Sequence, residues 1–242
     1  MNQTNPSTEP NPSHKPQSPL TGVRTIGDVI SGLPVLKLKP TPAAETEEEW
    51  WRRRRIAELR EKCNAPPRHW KRRDLDRSGE WGKLEKAMLG KLGKGGLLAA
   101  LVGVRGNGKT QIGVEAVRYT TGVLLLPARF VTVTEFLMEL KGTWGNDATE
   151  SELDLMLRYR RLALLVIDEF ARRGQTDWED RVLFELLNKR YGDQKDTLLI
   201  ANQKRADFLE SVGPSIADRM KELGAVIDCT WLSFRKPPGE TQ

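Results

Sequence analysis

Gly103-Val-Arg-Gly-Asn-Gly-Lys-Thr110 is the stretch whose reading decides the fold. It fits the pattern G-x-x-x-x-G-K-[ST] without a mismatch. Glycines at these positions let the backbone close into a nest whose N–H groups point at phosphate oxygens. Residues 97–102, just before it, form an apolar run suited to a buried parallel strand. Residues 111–119, just after it, continue as a helix and offer its positive end to the same phosphates. In this setting Lys109, expected to face solvent, reaches the β- and γ-phosphates of a nucleotide, and the Thr110 hydroxyl is a ligand for Mg²⁺. Gly103, Gly106, Asn107, Gly108, Lys109, Thr110 and Gln111 make up the candidate nucleotide-binding set.

Working outward, Leu164-Leu-Val-Ile-Asp-Glu-Phe170 is a second apolar strand, and it ends in two acids. The carboxyl ends of the strands are where open α/β sheets bind ligands. Asp168 is the candidate to hold magnesium through water, and Glu169 the candidate to orient and polarise an attacking water. Apolar strands ending in an acid are common, so this segment gains its meaning from the phosphate loop before it. Residues 197–202 end a third apolar strand in Asn202, either an amide beside the γ-phosphate or a turn-forming residue. Arg219 in Ala217-Asp-Arg-Met220 and Arg235 in Trp231-Leu-Ser-Phe-Arg235 are candidates to stabilise charge on the phosphoryl oxygens. Taken singly, each is also an ordinary surface salt-bridge arginine.

The remaining chain alternates in the same way. Residues 128–133 and 225–229 read as strands, and residues 178–191 and 214–223 as helices stopped by Gly192 and Gly224. Thr132 with Glu135, and Ser151 with Asp154, have the spacing that starts a helix. Strands alternating with helices predict a parallel sheet covered on both faces, an α/β fold.

The front of the chain has another texture. Residues 1–45 are rich in Pro, Ser, Thr and Asn, and are expected to form a largely disordered tail with a short docking segment at 25–33. Glu47, Glu48 and Glu49 precede Arg52, Arg53, Arg54 and Arg55, an order that favours a helix over residues 46–63. Its arginines suit DNA or a partner, and equally a solvated face. His69 sits in what reads as a surface linker. These shifts suggest a tail at 1–45, a helical docking region at 46–75 and the ATPase domain at 76–242.

The 242 residues carry a formal net charge of +6, which suits polyanionic partners. Two cysteines and two histidines are too few for a zinc site or a histidine-based triad. The same sparse cysteine usage, with no apolar run of membrane-spanning length, points to a reducing cytoplasm.

Taken in order, the five chemical segments resemble the AAA+ ATPases. More narrowly, they resemble the DnaC-type helicase loaders and the related IstB-type transposition helpers, over residues 64–235. Residues 103–110 match Walker A, Ile167-Asp-Glu169 Walker B, Asn202 sensor 1, Asp218-Arg-Met220 the arginine-finger helix and Arg235 sensor 2. Phe130-Val-Thr-Val-Thr-Glu-Phe136 resembles the family's strand-to-helix segment. The resemblance implies ATP and Mg²⁺ as cofactors and slow ATPase activity stimulated by DNA or a partner. It also implies assembly into an open ring or spiral, with Arg219 acting from a neighbouring subunit, and contact with single-stranded DNA. An N-terminal region docked on a DnaB-type replicative helicase completes the picture. Phe130 or Trp144 would stack on bases or else serve the core. Competing readings are an IstB-like helper of a transposase, a nucleotide-gated adaptor with little hydrolysis, and a nucleotide kinase. Glu169, Asn202 and Arg219 argue against the adaptor. The Asp168-Glu169 pair argues against the kinase, which must keep water from attacking.

Overall fold

A computed structural model describes residues 45–145, 147–174 and 176–234. The expected tail, its segment 25–33 and Arg235 lie outside these described residues. The described residues form one sheet from β1 (Leu98–Val102), β2 (Ala128–Thr132), β3 (Leu164–Asp168), β4 (Asp196–Ala201) and β5 (Gly224–Asp228). The strand order is β2-β3-β4-β1-β5, and every neighbouring pair is parallel. The expected α/β sheet is therefore present.

Strand periodicity divides the core into two layers. Leu98, Ala100 and Val102 of β1, with Leu165 and Ile167 of β3, face one layer. There they meet α5 (Val133–Gly142), α6 (Glu152–Arg161), α7 (Asp177–Gly192) and α8 (Arg205–Leu223). Ala99 and Leu101, with Leu164 and Val166, face the other. That layer holds α4 (Lys109–Gly122) and α3 (Glu80–Leu89). Because both faces are covered, β1 and β3 are buried throughout and read as unbroken apolar runs. Each large aliphatic side chain removed from water in this way contributes about 1.5–3 kcal/mol.

The helix-start signals hold. Thr132 and Glu135 form a reciprocal capping box at α5, and Ser151 accepts from the Asp154 N–H at α6. The expected helix at 214–223 is longer than its sequence suggested. It begins at Arg205 and is broken at Gly213, which has φ of 77° just before Pro214. Proline has no N–H to donate, and is well placed where a helix restarts.

No break falls at residue 75/76 among the described residues, which from Glu45 onward group into one compact unit. The helices α1 (Glu47–Lys62) and α2 (Pro67–Lys71) belong to the same body as the sheet. Leu59 and Cys63 are buried, and the Cys63 carbonyl accepts from the Phe130 N–H of edge strand β2 at 2.8 Å. Phe130 itself is buried in the core, so it has no face left for a base. Trp144 is more than half exposed and packs edge-on to Trp178.

One buried cation ties α6, α7 and β4 together. Arg190 of α7 has no exposed surface. It donates to the carbonyls of Tyr159 at 2.7 Å, Leu162 at 2.9 Å and Asp196 at 2.5 Å, and to the Thr197 hydroxyl at 2.9 Å. Two of these carbonyls lie at the C-terminus of α6, where the helix leaves acceptors unpaired. Burial pushes the guanidinium pKa down to about 9, so it stays charged at neutral pH. Arg190→Leu should therefore cost about 3 kcal/mol or more, since several buried carbonyls lose their donor at once. Urea unfolding measures this. A loss below about 1 kcal/mol would show that water replaces the guanidinium.

Candidate functional site

The loop between β1 and α4 builds the floor of the site. Gly103, Gly106 and Gly108 have φ of 130°, 94° and 79°, which only glycine adopts without strain. A Cβ on Gly108 would also lie 2.7 Å from the Trp81 indole nitrogen. Lys109 is buried and not solvent-facing as expected, because its ammonium folds back over the loop. It donates to the Gly103 carbonyl at 2.9 Å, the Val104 carbonyl at 2.6 Å and Asn107 Oδ1 at 2.9 Å. Burial lowers its pKa, with Cys229 and Asp168 opposing the shift.

The sheet carries the acids to this loop. β1 and β3 both flank β4 and end on the same edge. The Thr110 hydroxyl donates to Asp168 Oδ2 at 2.8 Å, and the Glu169 N–H donates to Asp168 Oδ1 at 2.6 Å. Burial nonetheless raises the Asp168 pKa. A buried carboxylate beside a hydroxyl oxygen is a donor pair that a hard divalent cation fits, and such a cation would relieve the desolvation. Glu169 takes a left-handed backbone, with φ of 53°, and its carboxylate is held by Arg172 at 3.2 Å. Asn202 follows β4 into the same cleft, whose volume is about 920 Å³.

The cleft thus brings together Gly106, Asn107, Gly108, Lys109, Thr110, Gln111, Asp168, Glu169 and Asn202. Arg219 stands apart from its lining. Its guanidinium donates to Asn188 Oδ1 and lies 4.8 Å from the Tyr191 ring centroid. Gln111 borders the cleft but spends its amide elsewhere. It donates to the His69 carbonyl at 3.1 Å and Glu115 Oε1 at 2.8 Å, while His69 Nδ1 meets its Oε1 at 2.9 Å.

His69 is therefore no surface linker but part of the cleft wall, with Arg68, Lys71 and Arg72 beside it. Trp81 and Trp231 were not expected at the site either. Their indole N–H groups donate to the Gly108 carbonyl at 3.2 Å and the Asn107 carbonyl at 2.6 Å. A glycine-rich loop that lacks bulk of its own was the one signal that outside aromatics must pack on it.

A parallel sheet with a phosphate loop after β1 and an acid at the end of β3 defines an ATP-binding protein of the P-loop class, with an AAA+-like fold. Within that class, the model of the family described as IstB-like ATP binding protein matches residues 98–220. The chain belongs to this family. It is similar to the replicative helicase loader DnaC of Buchnera aphidicola subsp. Schizaphis graminum. The two are 25% identical over 104 residues, 43% of this chain and 41% of that protein. The DnaC of Escherichia coli K12 is 24% identical over 106 residues, 43% of each chain. The matches thus span less than half the length of these curated relatives. A crystal structure of the DnaC helicase loader superposes with a TM-score of 0.54 at 16% identity, covering 67% of this chain and 99% of that one. AMPPCP-bound DnaA from Aquifex aeolicus gives 0.55 at 15% identity, over 68% and 50%.

Two substitutions separate binding from folding. Lys109→Ala should abolish tight ATP binding, measured by calorimetry, because the ammonium at the start of α4 is a charged donor to phosphate within the cleft. Asp168 behaves differently. Its folded pKa is raised, so the penalty on its ionised form is absent below the usual carboxylate range and grows as pH rises past it. Asp168→Asn should therefore melt no lower than the parent at pH 7, yet lose the gain in ATP affinity that Mg²⁺ brings. A large drop in melting temperature would show that the carboxylate stabilises the fold.

Proposed function

We propose that the protein is an ATP-dependent loader of a replicative helicase, acting in the cytoplasm. It binds ATP with Mg²⁺, assembles side by side with its own copies, docks on a DnaB-type helicase and helps place it on single-stranded DNA. The observation that carries the ATPase part is the meeting of Thr110, Asp168, Glu169 and Asn202 around one phosphate-loop cleft. Membership of an ATP-binding family supports it, and the curated relatives named as helicase loaders support the wider role.

Each residue has a part. Backbone N–H groups of the loop and the Lys109 ammonium bind the phosphates. Thr110 and Asp168 would hold Mg²⁺, which supplies charge neutralisation at the phosphate oxygens. Glu169 orients and polarises a water once it leaves Arg172, and Asn202 steadies that water. Arg219 is not in the lining of its own cleft, which suits a role in the cleft of a neighbouring copy. Arg235 is assigned to the phosphates of its own copy by resemblance.

The docking role falls on α1. Trp50 and Trp51 are 39% and 54% exposed, and Arg54 lies over both rings. Aromatic and arginine side chains together are the usual anchors of a protein interface. The opposite end of the helix is committed to the core through Leu59 and Cys63. Removal of residues 1–75 would therefore damage the body as well as the docking surface. The family match also supports a second reading, a helper ATPase of a DNA transposase, in which duplex DNA replaces the single strand.

ATPase assays test the site. Glu169→Gln should retain ATP binding and lose turnover by about 100-fold, the scale of a general base. Mixing Arg219→Ala with Lys109→Ala subunits should restore part of the activity, since mixed interfaces pair an intact loop with an intact arginine. Parent-level turnover in Glu169→Gln, or no recovery at any mixing ratio, would contradict these roles.

Partner capture tests the loader. An affinity column carrying the parent should retain a purified replicative helicase, and one carrying the Trp50→Ala/Trp51→Ala variant should not, with ATP affinity equal in both. DNA binding should favour single strands and weaken steeply with salt. A preference for duplex, with no helicase retained by the parent, would favour the transposase helper.

A further inference from the structure

We infer that Trp81 and Trp231 are positioning residues that fix the direction of the peptide groups in the phosphate loop, an inference that rests on the nucleotide-site reading above. In a trans peptide the carbonyl of one residue and the N–H of the next point in opposite directions, and the described residues contain no cis bond. Holding a carbonyl on one side therefore turns the following N–H to the other.

Three consecutive carbonyls of the loop are held in this way. The Gly106 carbonyl accepts from the Phe234 N–H at 3.0 Å. The Asn107 carbonyl accepts from Trp231 Nε1 at 2.6 Å. The Gly108 carbonyl accepts from Trp81 Nε1 at 3.2 Å, beside its helical bond from the Ile112 N–H at 3.1 Å. The N–H groups that follow belong to Asn107, Gly108 and Lys109, and all three are thereby turned away from the aromatic side. A succession of N–H groups facing one way is what an anion needs.

The clamp is built, and not a chance contact. Trp81 is 4% exposed and sits in the core layer of α4. Its ring meets Phe234 edge-on, with centroids 6.3 Å apart, and the two close over Gly108. The Asn107 side chain locks the same turn from below, donating to the Cys229 carbonyl at 2.5 Å and accepting from Lys109. An indole donates and never accepts, so it holds only the carbonyl side of a peptide group. Either tryptophan therefore resists the peptide flip that would point a carbonyl at a phosphate.

Trp231→Phe and Trp81→Phe test this, since phenylalanine keeps an aromatic ring but has no N–H. ADP and AMP affinities are measured by displacement of a fluorescent ADP, alongside melting without nucleotide. The loop serves the β-phosphate, which AMP lacks. Each variant should bind ADP on the order of tenfold more weakly, bind AMP as the parent does, and melt within about 2 °C of it. ADP affinity within about twofold of the parent in both variants would overturn the inference. So would parallel losses for ADP and AMP, which indicate a general packing role. Lack of ADP binding by the parent would instead remove the nucleotide site itself, and the clamp with it. If a variant does not fold, the parent labelled with ¹⁵N-tryptophan decides. ADP should slow hydrogen exchange at two indole N–H groups, and unchanged exchange at all of them would overturn the assignment.

Discussion

A loop can present a row of N–H groups to a phosphate only if the carbonyls of the same peptide groups are satisfied somewhere else. That constraint governs the organisation around residues 103–110. A carbonyl left unpaired in a buried turn costs about as much as a lost hydrogen bond. Here the Trp81 indole and the segment after β5, with Trp231 and Phe234, take up three of the loop's carbonyls. Its Asn107 side chain is tied to the Cys229 carbonyl, and its lysine is folded onto Gly103 and Val104. The position of β1, between β4 and β5, lets both α3 and the segment after β5 reach the same turn.

The acids obey the complementary rule. Asp168 sits at the buried end of β3, where its charge is penalised, and it is kept in place by the Thr110 hydroxyl and the Glu169 N–H. Such a group stabilises a bound cation at the expense of the empty fold, a common trade at functional sites. Glu169 is less committed. Its ion pair with Arg172 is partly exposed, and such pairs are weak enough to break when a better partner arrives. The site thus combines a floor tied by several hydrogen bonds with one acid held by a single ion pair.

Sequence order explains what could be read in advance. The phosphate loop, the capping box at Thr132 and Glu135, and the apolar runs of β1 and β3 are local signals, carried by residues a few positions apart. Alternation of such runs with helices was enough for the parallel sheet. The clamp was hidden because Trp81 and Trp231 meet the loop across separations of 27 and 124 residues. His69 was misplaced for the same reason, since its partner Gln111 lies 42 residues away. Arg190 resembles any surface arginine until its carbonyl partners from α6 are in place. Residues 46–75 read as an appendage because most of α1 is charged, and its short apolar face of Ile56, Leu59 and Cys63 suits a partner's groove as well as the protein's own core.

That integration bears on how docking would reach the nucleotide. Arg118 of α4 donates to the Trp70 carbonyl at 2.5 Å and stacks on the Trp70 ring, while Glu115 bridges Arg118 and Gln111. The front helices are therefore packed on the helix that begins at Lys109. A structure with a non-hydrolysable ATP analogue and Mg²⁺ tests the central claim most directly. The account predicts the β-phosphate within hydrogen-bond distance of the Gly108 and Lys109 N–H groups. Lys109 should then have left the Gly103 and Val104 carbonyls, with the indoles of Trp81 and Trp231 still on theirs. Nucleotide bound outside this cleft, or a loop whose carbonyls face the phosphates, would contradict it.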